Sequence, residues 1–127
     1  VTVDGKIHLV GGRFGANEDM TGLHDIYDPG TDRWSSAPPL PTPRGGGAGT
    51  LFQNMIVFLG GEDDKRTYDE TEGFDLRTNR WIRLAPMPTG RHGFGVAALG
   101  KYLYVASGAK GRGGDDPTNE LLAFSLP

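Results

Sequence analysis

The chain contains no cysteine, which excludes disulfides, thiolate zinc sites and cysteine nucleophiles together. It has no basic excess either: 13 Lys and Arg stand against 16 Asp and Glu, a formal net charge of -3 at pH 7. Binding a phosphate backbone needs a positive stripe, so no nucleic-acid footprint is expected. Long apolar runs are missing, and none approaches the ~20 residues that cross a bilayer. No window holds helical periodicity long enough to be stable alone. Glycine, by contrast, is abundant: 21 of the 127 residues, beside 9 prolines. Together these make about a quarter of the chain, near the level at which an unpatterned sequence reads as disordered. Disorder or turns is then a question of whether the glycines recur at a fixed spacing.

They do. Trp34 and Trp81 lie 47 residues apart, and so do Tyr27 and Phe74, Asp28 and Asp75, Arg33 and Arg80, Pro41 and Pro88, Arg44 and Arg91, and Gly61 and Gly108. Gly11-Gly12 precedes Gly60-Gly61 by 49. The stretch Tyr27–Trp34 aligns with Phe74–Trp81 without a gap, and Pro38–Arg44 aligns with Ala85–Arg91. The glycines and prolines are therefore periodic punctuation.

The middle unit predicts strands at Ala48–Phe52, Met55–Leu59, Thr71–Asp75 and Arg80–Leu84. Gln53-Asn54 is a two-residue turn signal, and the continuous apolar run Met55–Leu59 reads as a strand buried on both faces. Residues 62–70 read as a loop. Four short antiparallel strands per repeat of this length make one blade of a propeller.

The double glycine after an apolar strand, the aromatic-Asp pair, the Trp that follows, and then Pro-x-Pro and Arg resemble the kelch repeat. The resemblance covers nearly the whole chain and implies a β-propeller of the kelch (galactose oxidase central-domain-like) superfamily, usually of about five to seven blades. Two departures stand out. Ala106-Ser107-Gly108 replaces the double glycine in the third unit, and no Trp strand follows Leu122–Ser125.

The expected fold is thus all-β: about three four-stranded antiparallel blades of an incomplete ring. Residues 1–40 form a blade with a truncated first strand, 41–87 a complete blade, and 88–127 a last blade lacking its outer strand. Closed propellers have about four to eight blades, and each blade buries its faces on its neighbours. The reading is a C-terminal half of a ring of about six blades, completed by a second chain or a further segment. A self-dimer is the second choice, because it leaves an outer strand unpaired in each copy.

Arg44, Arg91 and His92 are the candidate contacts. Each Arg follows a Pro break and precedes an innermost strand, near one mouth of the channel. A ring of guanidinium groups there suits carboxylates of a protein or a sugar acid. Equally, each Arg can tie its loop to a neighbouring blade through carbonyls, and the sequence leaves both readings open. The Gly45–Gly49 cluster lacks the Lys-Ser/Thr and helix of a phosphate loop. Trp34 and Trp81 read as packing between blades. His8 reads as packing or edge and His24 as loop, and with His92 they show no metal-ligand spacing. The acidic stretch Glu62-Asp63-Asp64 with Asp69-Glu70 lacks the oxygen spacing of a calcium loop. Residues 110–117 read as an exposed contact loop.

The expected function is non-catalytic: recognition of a protein or carbohydrate partner by loops at one face, with no cofactor. Galactose oxidases of this fold class need a cross-linked Cys that is absent here. Sialic-acid mutarotases are similar at Arg91–Leu99, which makes a mutarotase with Arg91 and Glu120 as charge partners the alternative. A structural role in a larger assembly is a third reading. The compartment is left open, with a lean toward the periplasm or secretion implied by the resemblance of the Arg91-His92-Gly93 unit to exported bacterial proteins.

Overall fold

The computed structural model describes residues 1–15 and 19–127. Among these, the chain runs β1 (Thr2–Val3), β2 (Lys6–Val10), β3 (Arg13–Phe14), β4 (Asp19–Met20), β5 (His24–Asp28) and β6 (Arg33–Ser36). It continues through β7 (Ala48–Phe52), β8 (Met55–Leu59), β9 (Thr71–Asp75), β10 (Arg80–Arg83), β11 (Gly95–Leu99), β12 (Tyr102–Ala106) and β13 (Leu121–Phe124). The strands form three successive antiparallel sheets, ordered β1-β2-β5-β6, β7-β8-β9-β10 and β11-β12-β13, and none closes into a ring. This is an incomplete propeller, and its third sheet has no outermost strand. A small ribbon, β3 with β4, stands apart. The sequence reading did not anticipate it, because two-residue strands leave no period to detect.

Turn chemistry explains why the strands end where they do. Asp4 and Gly5 both have positive φ (48° and 76°), the conformation of the tight hairpins that match strand twist. Phe52 pairs with Met55 across Gln53-Asn54. In the outer hairpins the repeated Asp folds the turn: Asp28 Oδ1 accepts from the Gly30 N–H and Asp75 Oδ1 from the Arg77 N–H, at 2.9 and 2.8 Å. Asp32 and Asn79 then take left-handed φ of 54° and 56°, a region these short polar side chains tolerate.

Burial follows the alternation of the strands. Ile56 faces the first sheet with Val3 and Phe74, while Val57 and Leu59 face the third with Phe52, Leu103 and Val105. The middle strand β8 is therefore buried on both sides, as its apolar run requires. The two tryptophans pair with the aromatic residue opposite, Tyr27 with Trp34 and Phe74 with Trp81, at ring separations of 5.0 and 5.3 Å. Their surroundings differ. Trp81 lies against the first sheet, its Nε1 donating to the Pro38 carbonyl at 2.8 Å. Trp34 is 59% exposed, because it looks out from the open flank and no sheet packs on it. The expected packing between blades is seen for Trp81, whereas none of the described residues of another sheet packs on Trp34.

His24 also departs from expectation. It sits in β5, not in a loop, and is buried. Its Nε2 lies 2.8 Å from His8 Nδ1 on the neighbouring strand. His8 and His24 thus meet across adjacent strands even though their chain spacing shows no relation.

Candidate functional site

The topology sorts the connections onto two ends of the sheets. The two- to four-residue turns, such as Asp4-Gly5 and Gln53-Asn54, lie at one end. At the other lie, among the described residues, three long connections, one per sheet (residues 11–15 with 19–23, 60–70 and 107–120), together with the segments that lead into β7 and β11. This second end carries the polar and charged loop residues and is where a site can be built.

Arg44, in the lead-in to β7, is buried completely. Its Nε donates to the Gly60 carbonyl at 2.7 Å and its Nη1 to the Thr42 carbonyl at 2.8 Å and to the Glu72 carboxylate. Longer bonds reach the carbonyls of Phe58 and Glu70. The guanidinium also lies 4.9 Å from the Phe58 ring centroid. Arg91 repeats the arrangement one sheet on: 1% exposed, it donates to the Ser107 carbonyl and, at 2.8 Å, to Glu120. Gly60 and Ser107 are themselves 47 residues apart, so the tie is periodic like the sequence. Neither guanidinium reaches solvent. Each fastens its lead-in to the sheet that follows, through carbonyls and a carboxylate of that sheet and not of a neighbouring one. Hydrogen bonds from Arg91 and Lys110 lower the Glu120 pKa from its ordinary value.

His92 is mostly enclosed and faces two loops. Its Nδ1 lies 3.5 Å from Glu62, and its Nε2 lies 3.0 Å from the Gly111 carbonyl and 3.2 Å from the Gly114 nitrogen. Glu62 also accepts from the Gly113 N–H at 2.9 Å, and Arg112 Nε donates to the Asp63 carbonyl at 3.2 Å. Thr67 Oγ1 donates to the Lys110 carbonyl at 2.7 Å. The long loops of the second and third sheets are therefore fastened to each other. A shallow polar cleft of about 80 Å³ lies where they meet the β3–β4 ribbon, lined by Arg13, Met20, Glu62, Asp63, Arg112 and Gly113.

The acidic loop is folded by its own carboxylates. Asp63 accepts from the Lys65 and Arg66 amides and from the Tyr68 hydroxyl. Burial pushes this carboxyl up, but those hydrogen bonds outweigh it and hold the pKa below its ordinary value. The Tyr68 phenol is pushed up to about 12 by burial and by the Asp63 carboxylate. Arg66 pairs with Glu70 and stacks 3.9 Å over the Tyr68 ring. Among the described residues, no three His, Asp or Glu side chains converge as a metal group.

Comparison with known proteins agrees with this architecture. The chain is similar to Kelch-like protein terF of Aspergillus terreus, 29% identical over 98% of the chain. It is also similar to Kelch-like protein 13 of Mus musculus, 33% identical over 75% of it. Beta-scruin of Limulus polyphemus is 28% identical over 84% of the chain. The chain is a kelch-repeat segment. No family profile matches it. It spans only 29% of the terF protein, 15% of Kelch-like protein 13 and 12% of Beta-scruin.

Within the kelch segment, sequence reasoning singled out Arg44, Arg91 and His92, and the structure places His92 alone beside the cleft. The reading of residues 110–117 as an exposed loop is matched by Arg112–Asp116, which are all exposed. The part played by Arg13, Met20 and Glu62 was missed. Their only sequence signal is position, inside the long connection after an apolar strand and double glycine.

Proposed function

We propose that the kelch segment is a binding platform that recognises a protein partner through its loop-rich end and performs no chemistry there. The observation that carries this reading is the mutual fastening of the loops: bonds from Thr67, Arg112 and Gly113 join two sheets into one surface. Around it stand exposed residues of both signs and one large apolar side chain: Asp64, Lys65, Arg112, Asp115 and Phe14, the last 60% exposed. Pre-fixed loops lower the ordering cost of association. A cleft of about 80 Å³ takes a side chain rather than a whole sugar. Arg44 and Arg91 support the surface from beneath, and His92 holds its loops.

The mutarotase alternative gains one feature, since Arg91 and Glu120 do meet at 2.8 Å. The buried Arg91 side chain then has to leave its carbonyl partner to touch a sugar acid, which makes the binding reading the better supported.

Selection of a displayed random-peptide library on the immobilised protein tests the proposal. Enriched peptides are expected to lose at least about tenfold in affinity with Arg112→Glu or Phe14→Ala and to keep it with Arg77→Glu at the turn end. Affinity unaffected by the loop-end substitutions overturns the proposal. So does protein-dependent acceleration of sialic acid anomer exchange, followed by NMR.

A further inference from the structure

His92 stands where the lead-in to β11 meets the long loops of the second and third sheets, and one of its ring nitrogens has two neighbours that it cannot serve at once. Nε2 lies 3.0 Å from the Gly111 carbonyl and 3.2 Å from the Gly114 nitrogen. The carbonyl needs a proton on Nε2, and the Gly114 N–H needs a lone pair there. An imidazole nitrogen carries one or the other. The ring is 13% exposed and the Glu62 side chain 17%, so water does not stand in freely for the bond that is not made.

Glu62 selects the neutral form. Its carboxylate lies 3.5 Å from Nδ1, and a carboxylate beside one ring nitrogen keeps the proton on that nitrogen. Neutral His92 then points Nδ1–H at Glu62 and accepts from the Gly114 N–H with a bare Nε2. A second proton goes on Nε2, turns it into a donor for the Gly111 carbonyl and frees the Gly114 N–H. Histidine ordinarily changes charge between about pH 5 and 8. The other charged groups of the surrounding loops are engaged elsewhere. Asp63 accepts from the Lys65 and Arg66 amides and from Tyr68, Arg112 Nε donates to the Asp63 carbonyl, and Lys110 pairs with Glu120. From the lead-in to β7 the ring meets Gly46, which carries no charge.

The loop held by these bonds is closed at its base. The Lys110 N–H donates to the Asp116 carbonyl at 3.0 Å and the Gly111 N–H to the Asp115 carbonyl at 2.8 Å. Its tip is the single 3-10 turn Arg112–Gly114, with Gly113 and Gly114 at φ of 63° and 96°, a region that glycine enters and leaves without a Cβ clash. Among the described residues, three bonds tie the tip to its surroundings: Gly113 N–H to Glu62, Gly114 N–H to His92, and Arg112 Nε to the Asp63 carbonyl. One of the three depends on whether Nε2 carries a proton.

We propose that His92 is a proton-operated latch on the 112–114 tip. Neutral, it holds the tip by the Gly114 N–H. Protonated, it lets that N–H go and draws in the Gly111 carbonyl, which shifts Arg112 at the rim of the cleft. The latch stands on the loop geometry and is independent of what the loop-rich end binds.

The test follows amide exchange and the nitrogen resonances of the His92 ring in the whole chain at about pH 8 and about pH 5.5, with each protection factor referred to the unstructured rate at that pH. A bare Nε2 is expected at the higher pH. On acidification the Gly114 amide is expected to lose at least about fivefold in protection while Gly113 and the β12 amides keep theirs. The β12 reference separates this local release from any global loss at the His8–His24 pair. His92→Gln does not titrate and is expected to hold Gly114 equally at both pH values. A proton on Nε2 at the higher pH overturns the proposal, as does unchanged Gly114 protection, or a fall that persists in His92→Gln. The ring resonances are read on the unsubstituted chain, so they decide even where the variant fails to fold.

Discussion

Arg44 and Glu72 form an ion pair that water does not reach: the arginine side chain is 0% exposed and the carboxylate 4%. Thr42 Oγ1 donates to the same carboxylate at 2.9 Å, so both charges have their hydrogen bonds. The pair joins the lead-in to β9, the strand that β8 holds at the centre of the sheet. Removing one partner leaves the other charged and buried. Arg44→Met is expected to cost about 3–5 kcal/mol. The double variant Arg44→Met with Glu72→Gln is expected to recover part of that loss. Urea unfolding of these two variants and of Glu72→Gln alone measures it, and additive losses contradict the coupling.

Arg91 and Glu120 look equivalent by repeat position, yet Glu120 is 45% exposed. Water already solvates that carboxylate. Glu120→Gln is therefore expected to cost much less than Glu72→Gln. Equal losses by urea unfolding would refute the ranking.

The His8–His24 pair predicts a pH dependence. Burial, reinforced by the neighbouring His8, lowers the His24 pKa from 6.5 to about 4, and burial lowers His8 in the same direction. The folded state thus resists protonation that the unfolded state accepts. Stability is full above about pH 6.5, falls as pH drops toward 4, and levels below it, by an amount on the order of 3 kcal/mol for His24. His24→Phe retains a ring against Phe74 and Trp81 and should flatten the slope in that window. An unchanged slope counts against the assignment.

Gly60 has φ of +57°, and a Cβ there would meet the Arg91 carbonyl at 2.5 Å. Gly5, at φ +76°, has open space around it. Gly5→Ala is expected to cost the left-handed penalty alone, about 1–2 kcal/mol. Gly60→Ala must also displace the neighbouring lead-in and is expected to cost at least about 1 kcal/mol more. Thermal unfolding of both variants decides it, and similar melting temperatures would show that the close approach carries no weight.

Glu62 holds the 110–116 loop through Gly113 and His92. Glu62→Ala is expected to speed amide exchange at Gly113 and Gly114 by about tenfold while leaving β12 unchanged, since local opening is separable from global unfolding. Exchange that stays slow would mean the loop is held elsewhere.

Much of the fold was legible because the repeat writes the same local chemistry more than once. Asp28 and Asp75 announce the outer turns, Gln53-Asn54 an inner one, and the apolar run Met55–Leu59 a strand buried on both faces. The β3–β4 ribbon was illegible, being too short for any period. So was the strand position of His24, whose polar side chain reads as loop until a partner is found for it.

The sequence by itself determined the strands, their turns and the kelch repeat, because each depends on residues a few positions apart. Tertiary structure alone decided that Arg44 and Arg91 lie sealed under the loops, that His8 meets His24, and that Trp34 faces outward while Trp81 is covered. Those outcomes depend on which sheet packs on which face, and burial is a property of neighbours that the local sequence does not name.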